Sequence, residues 1–201
     1  MKEKDNYSIL IVGVGGQGVL LASEIITEVA MGAGLDVKKS EVHGMAQRGG
    51  IVSSHVRIAP RVYSPTIGYG QADIIVAFEQ AEGLRAMDWM KKDGVAIASM
   101  TRLVPAIVTS SKQFSYPDDS IDEMKKKADR VIGVPADKIA MELGNPRLVN
   151  TILMGVMSNY LPFDSELWLD VIRKKVKPKF VDVNVEAFNR GRQIQLSTAK
   201  G

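Results

Sequence analysis

Two glycine-rich segments contain most of the residues in this sequence whose types and spacing could hold a ligand. The first, Gly13-Val14-Gly15-Gly16-Gln17-Gly18, carries glycine at all three positions of a G-x-G-x-x-G pattern, Gly13, Gly15 and Gly18. With no Cβ in the way, backbone N–H groups in such a turn can approach an anion closely. A helix starting there adds about half an elementary positive charge and several unpaired N–H donors. The second segment, His43-Gly44-Met45-Ala46-Gln47-Arg48-Gly49-Gly50, brings three side-chain donors (His43, Gln47, Arg48) into a stretch loosened by Gly44, Gly49 and Gly50. Arg48 could grip a phosphate or carboxylate through two parallel N–H bonds. His43 could hydrogen-bond a ligand or titrate near neutral pH. Each segment also has a plainer reading. The first could be a tight strand-to-helix turn with close packing and no ligand, and the second a contact with another subunit.

A dinucleotide site would further require an acid about 20 positions after the glycines, to hold the ribose hydroxyls. Glu41 follows Gly18 by 23 positions, and Lys38 and Lys39 stand nearer the expected place, so the match is partial. Glu79 falls at a predicted strand end, where it could serve a site or cap the next helix. His55 and Arg57 share one strand face, which reads as an interface or an exposed sheet surface. The Lys125–Lys127 run and the cluster Arg173, Lys174, Lys175, Lys177 and Lys179 read first as solvated faces, which at most could attract an acidic partner such as a ferredoxin-like protein.

Several chemistries are excluded by composition. There is no cysteine, so this chain has no disulfide, thiolate metal site or cysteine-ligated cluster. Two histidines, His43 and His55, cannot build a multi-histidine metal centre within one chain. No serine sits in a nucleophile-elbow pattern, and no carboxylate pair is evident from spacing, so no catalytic acid, base or nucleophile is assigned. A net charge of +3 and an aromatic content of 6% give little support to nucleic-acid binding. No apolar run approaches the roughly 18 residues of a membrane span. The polar opening Met1-Lys2-Glu3-Lys4-Asp5-Asn6 lacks a signal-peptide core. A cytoplasmic protein is expected.

The elements that must position these residues follow from periodicity. Ser8–Val12 is a short apolar run of the kind found in buried parallel strands, followed by a helix from about Gln17 to Met31. Asp36–Val42 reads as a second strand, which would complete a βαβ unit. Val52, Ser54, Val56 and Ile58 alternate with Ile51, Ser53, His55 and Arg57 as in a half-buried strand. Further strands are expected at Asp73–Phe78, Gly94–Ala98, Pro105–Thr109 and Arg130–Val134. Ser120-Ile121-Asp122-Glu123 matches a capping box, and Asn145-Pro146 and Asp164 suit later helix starts. The 201 residues show no repeat or linker. The expectation is one domain over residues 1–201, of α/β class. It would be a three-layer Rossmann-like arrangement on a mostly parallel sheet, with both glycine segments at one sheet edge.

The residues also resemble a known family. Ile9–Gly18, Glu41–Gly50 and Ser54–Ile58 are similar to the gamma-type subunit of 2-oxoacid:ferredoxin oxidoreductases, and the His43–Gly50 version is most similar to the beta subunit of the indolepyruvate branch. Tyr63-Ser64-Pro65, Gly70–Asp73, Ala77-Phe78-Glu79, Gly144-Asn145, Asn150 and Val185–Phe188 extend the likeness over residues 8–193. The resemblance implies a pyruvate/ketoisovalerate oxidoreductase gamma-type domain within a heteromeric enzyme. That enzyme would oxidise an aryl 2-oxoacid such as indolepyruvate, with coenzyme A and oxidised ferredoxin, to arylacetyl-CoA, carbon dioxide and reduced ferredoxin. Thiamine diphosphate and the iron–sulfur clusters would belong to a large alpha-type partner subunit. This chain would bind no cofactor alone and would be inactive alone. Gly13, Gly15, Gly16, Gln17 and Gly18 would form a close-approach turn, and His43, Gln47, Arg48, Gly49 and Gly50 would extend toward the partner's active site or the coenzyme phosphates. From the residues themselves two other classes stay open: a freestanding NAD(P)-binding oxidoreductase, and a regulatory or scaffolding subunit.

Overall fold

Short apolar runs form the inner strands of a six-stranded sheet. The computed structural model describes residues 6–44, 50–104 and 115–194. In chain order the strands are β1 (Tyr7–Val14), β2 (Asp36–His43), β3 (Ile51–Ala59), β4 (Ala72–Ala77), β5 (Met90–Ser99) and β6 (Val131–Val134), and across the sheet they run β2-β3-β1-β4-β5-β6. β1, β4, β5 and β6 pair in parallel. Their sequences are apolar at consecutive positions because both faces are covered. Ile9, Ile11, Ile74, Val76, Val95 and Ile97 point into one buried cluster, and Leu10, Val12, Ile75, Ala77, Ala96 and Ala98 into another. Burying each large aliphatic side chain contributes about 1.5–3 kcal/mol, so the two clusters dominate stability.

The expected βαβ unit needs correction. β2 is parallel to β1 but not its neighbour, because β3 lies between them and is antiparallel to both. The 44–50 connection folds β2 and β3 into a hairpin, closed by Gly44 N–H donating to the Ile51 carbonyl at 2.8 Å. The alternation read in β3 follows this placement: Val52, Ser54, Val56 and Ile58 are buried while Ile51 is 49% exposed.

Helices lie on both faces, giving three layers. One face carries α1 (Val19–Gly32), α4 (Ala136–Glu142), α5 (Val149–Ser158), α6 (Ser165–Lys175) and α7 (Val181–Arg192). The other carries α2 (Gln80–Ala86) and α3 (Ser120–Lys127). α5 and α7 cross at Gly155 and Gly191, where a Cβ on Gly155 would stand 2.2 Å from the Phe188 carbonyl oxygen. Asn145 and Asp164 cap as their positions suggested, accepting from Arg147 N–H and Glu166 N–H. The capping box is a second correction. Asp119 is the N-cap of α3 and makes no side-chain cap bond, while Ser120 is already helical and donates its hydroxyl to the Pro117 carbonyl at 2.9 Å. The strand expected at 105–109 lies outside the described residues.

Candidate functional site

The first glycine turn joins β1 to α1, and Gly13, Gly16 and Gly18 each have their own reason. A Cβ on Gly13 would meet the Phe78 Cβ and the Gln17 Oε1 at 2.9 Å, so only glycine lets the turn lie against the end of β4. Gly16 (φ 99) and Gly18 (φ 91) adopt the left-handed conformation that glycine enters without steric cost. Gly18 is the N-cap of α1, so the first-turn N–H groups of that helix, which have no intrahelical partner, open beside it. The Gln17 amide is committed inside the protein: its Oε1 accepts from Val14 N–H at 2.7 Å and its Nε2 donates to the Phe78 carbonyl at 2.9 Å. It braces the turn against β4.

The two glycine segments meet, as their common sheet edge required. Gly15 N–H donates to the Gly50 carbonyl at 2.9 Å. β2 carries the His43 backbone to the same edge, opposite Val52. Gln47, Arg48 and Gly49 lie outside the described residues. Glu41 stands on β2, one strand further from the glycine turn than a dinucleotide fold would place it, and forms an ion pair with Lys39 at 2.8 Å. Its assignment as a ribose ligand therefore loses its geometric basis.

A cleft of about 680 Å³ opens in front of the turn, lined by Gly16, Gln17, Gly18, Thr101, Asp137, Met141, Arg147 and Asn150 among others. Sequence reasoning gave a site role to the first three of these residues alone, and two of the others bear on binding. Asn150, only 6% exposed, uses its Oδ1 to accept from Thr151 N–H at 2.7 Å. Its Nδ2 has no acceptor among the described residues and lies 3.0 Å from the place a Gly18 Cβ would occupy. An amide donor left open at the cleft can serve an acceptor from outside the chain. Arg147 stands at the rim, and its guanidinium forms no ion pair among the described residues. A neighbouring depression of about 610 Å³ shares Leu21, Arg147 and Asn150 and adds Lys177 and Asn184, so the groove continues along α1. A legible signal did exist: Asn150 and Thr151 are polar residues at the head of a helix that is otherwise almost wholly apolar. Helix N–H groups, an open amide and a free guanidinium together suit a phosphate. Asp137, which is exposed, is the one carboxylate in the lining among the described residues.

The remaining candidates fall elsewhere. Glu79 caps α2, as one of its two readings had it. His55 lies half-buried on β3, where Nδ1 accepts from Ile67 N–H at 3.2 Å, and burial holds its pKa below the usual value. It floors a separate apolar groove of about 240 Å³ with Leu10, Val12 and Trp89. Lys125 and Lys127 pair with surface carboxylates, as expected of a solvated face. Among the described residues no group of three His, Asp or Glu could hold a metal ion, and no helix is long and apolar enough to cross a membrane.

Comparison with known proteins gives this edge its context. The family model for pyruvate ferredoxin/flavodoxin oxidoreductase matches residues 8–194. The chain belongs to that family. It is 42% identical over 194 residues to the indolepyruvate oxidoreductase subunit IorB of Archaeoglobus fulgidus, covering 94% of this chain and 96% of that one. Among solved structures, the gamma subunit of a keto/oxoacid ferredoxin oxidoreductase from Geobacter sulfurreducens superposes with a TM-score of 0.69 at 22% identity, over 93% of this chain and 96% of that chain. A 2-oxoglutarate:ferredoxin oxidoreductase from Magnetococcus marinus, with 2-oxoglutarate, coenzyme A and succinyl-CoA bound, superposes with a TM-score of 0.72 at 20% identity. There the match covers 95% of this chain but 31% of the other. The family member described here is a subunit of a 2-oxoacid:ferredoxin oxidoreductase, and it shares the α/β fold of these neighbours.

Proposed function

We propose that this chain is the smaller subunit of an indolepyruvate-type oxidoreductase, and that its glycine-edge cleft holds the phosphate-bearing part of coenzyme A. The complex would convert an aryl 2-oxoacid, coenzyme A and oxidised ferredoxin to arylacetyl-CoA, carbon dioxide and reduced ferredoxin. The single observation that carries the cleft assignment is the open Asn150 amide beside the α1 N-terminus, with Arg147 at the rim. The substrate class is supported by 42% identity, over 94% of this chain, with an indolepyruvate oxidoreductase subunit.

Within this reading the chain's own residues bind and orient. The first-turn N–H groups of α1 and the Asn150 Nδ2 would donate to phosphate oxygens, and Arg147 would neutralise their charge. Thiamine diphosphate, held by a larger subunit, supplies carbanion stabilisation when bound. A chain without cysteine leaves the iron–sulfur clusters to that partner as well. His43, Gln47 and Arg48 would reach from the second loop toward the partner's active site. The protein would work in the cytoplasm.

The test uses the chain co-purified with its cluster-bearing large subunit. Coenzyme A-dependent reduction of ferredoxin by indolepyruvate should vanish when this chain is omitted. Arg147→Met and Asn150→Ala should each raise the KM for coenzyme A, by about tenfold for the charged contact. Dephospho-coenzyme A and pantetheine, compared in the same assay, identify which phosphate is held. Unaltered turnover by the large subunit alone would refute the assignment.

A further inference from the structure

We infer that Glu79 is a positioning residue for the cleft, fixing the wall formed by Thr101 and Leu103 opposite the glycine turn. The inference rests on the reading that coenzyme A enters this cleft. Glu79 is 1% exposed and, among the described residues, its carboxylate oxygens meet hydrogen-bond donors and no ion-pair partner. One oxygen, Oε2, caps α2 by accepting from Ala81 N–H at 2.9 Å and Glu82 N–H at 3.0 Å. The other does something a cap does not require. Oε1 accepts from Leu103 N–H at 3.2 Å and from the Tyr116 hydroxyl. Burial, followed by this bond to Glu79, pushes the Tyr116 pKa upward, which keeps the phenol a donor.

Residue choice agrees with the double role. Helix N-caps favour Ser, Thr, Asp and Asn, whose short side chains reach only their own helix. Glutamate has the length and the second oxygen to hold a distant segment as well. Gln80 N–H adds a bond to the Thr101 carbonyl at 3.2 Å, and Arg102 stacks on Tyr116 at 4.8 Å while pairing with Asp118. On the opposite side, Gln17 Nε2 holds the Phe78 carbonyl and Gly13 abuts the Phe78 Cβ. Both walls of the cleft are thus tied to the tripeptide Phe78-Glu79-Gln80 at the end of β4. Its geometry sets the spacing between them.

The experiment measures coenzyme A kinetics of the assembled complex carrying Glu79→Gln or Tyr116→Phe. Tyr116→Phe removes one wall contact and leaves both cap bonds in place. Asp164→Ala, which deletes the cap of α6 away from the cleft, serves as the structural comparator. We expect KM for coenzyme A to rise about tenfold in Glu79→Gln and about threefold in Tyr116→Phe, with kcat nearly constant, as a misplaced binding wall predicts. Asp164→Ala should lower Tm and leave KM alone. If Glu79→Gln does not assemble, Tyr116→Phe decides by itself. Lowered Tm with unchanged KM in the Glu79 and Tyr116 variants, while Arg147→Met still raises KM, overturns the inference and spares the coenzyme reading. An unchanged KM in Arg147→Met as well removes both.

Discussion

Adding a single methyl group at Gly13 tests whether the glycine turn is held by packing or by backbone freedom. In Gly13→Ala the new Cβ would stand 2.9 Å from the Phe78 Cβ, 2.9 Å from the Gln17 Oε1 and 3.0 Å from the Val19 Cγ2. Carbon atoms in contact prefer about 3.5–4.0 Å, so the overlap is roughly 0.5 Å or more against both the Phe78 and the Val19 carbons. Relief by moving β1 is blocked, because β3 and β4 pair with it on either side. The Phe78 Cβ is fixed by its own backbone, whose N–H donates to the Val12 carbonyl at 2.9 Å. Overpacking of this kind costs about 1–3 kcal/mol, which for a chain of this size lowers Tm by about 2–4 °C per kcal/mol. The turn must also swing away from Phe78, widening the cleft, so KM for coenzyme A should rise together with the fall in Tm. Gly16→Ala provides the contrast. Among the described residues no atom lies within 4 Å of its Cβ, so its φ of 99° makes backbone strain the expected penalty, about 1–2 kcal/mol. Thermal unfolding of the isolated chain and coenzyme A titration of the complex measure both effects. A Gly13→Ala chain that melts with the wild type would refute the packing argument outright.

Three further outcomes follow from other parts of the fold. Gly191→Ala places a Cβ 2.1 Å from the Ile152 carbonyl oxygen; prising α5 and α7 apart should cost about 3 kcal/mol or more, read as a large fall in Tm. Ser54 buries its hydroxyl on β3 with no hydrogen-bond partner among the described residues, so Ser54→Ala should raise stability by about 1 kcal/mol in denaturant titration; a loss of that size would refute this. His55 has its pKa lowered from 6.5 by burial, so below that pH the unfolded chain binds the extra proton and stability falls as pH drops through the window down to the folded value. Denaturation midpoints measured across this window should slope less steeply in His55→Gln, and an identical slope would exclude His55 as the source.

Much of the fold was legible because its signals are local. Strands β1 and β4 and the later half of β5 are dominated by consecutive apolar residues, which only burial on both faces accommodates. β3 alternates because one face is more open. Asn145 and Asp164 cap where a short polar side chain precedes a helical pattern. Ser120 misled, since a serine followed three residues later by a glutamate fits a cap equally well when the helix has begun one residue earlier. Asn150 entered only through the family resemblance and Arg147 not at all, because nothing near them in the chain indicates that they will line one cleft with Gly18.

What the sequence determined by itself was therefore the set of elements, the glycine turn at a strand end and, through the missing cysteines, the exclusion of cysteine-ligated clusters from this chain. The tertiary structure alone decided the order of the strands. Hydrogen-bond ladders form between any two strands whose faces match, so β3 could enter between β1 and β2 and carry Glu41 away from the turn. Packing also decided that the carboxylate of Glu79 would reach segments 24 and 37 residues away. Such contacts depend on how buried faces meet, and residue order along the chain does not encode that directly.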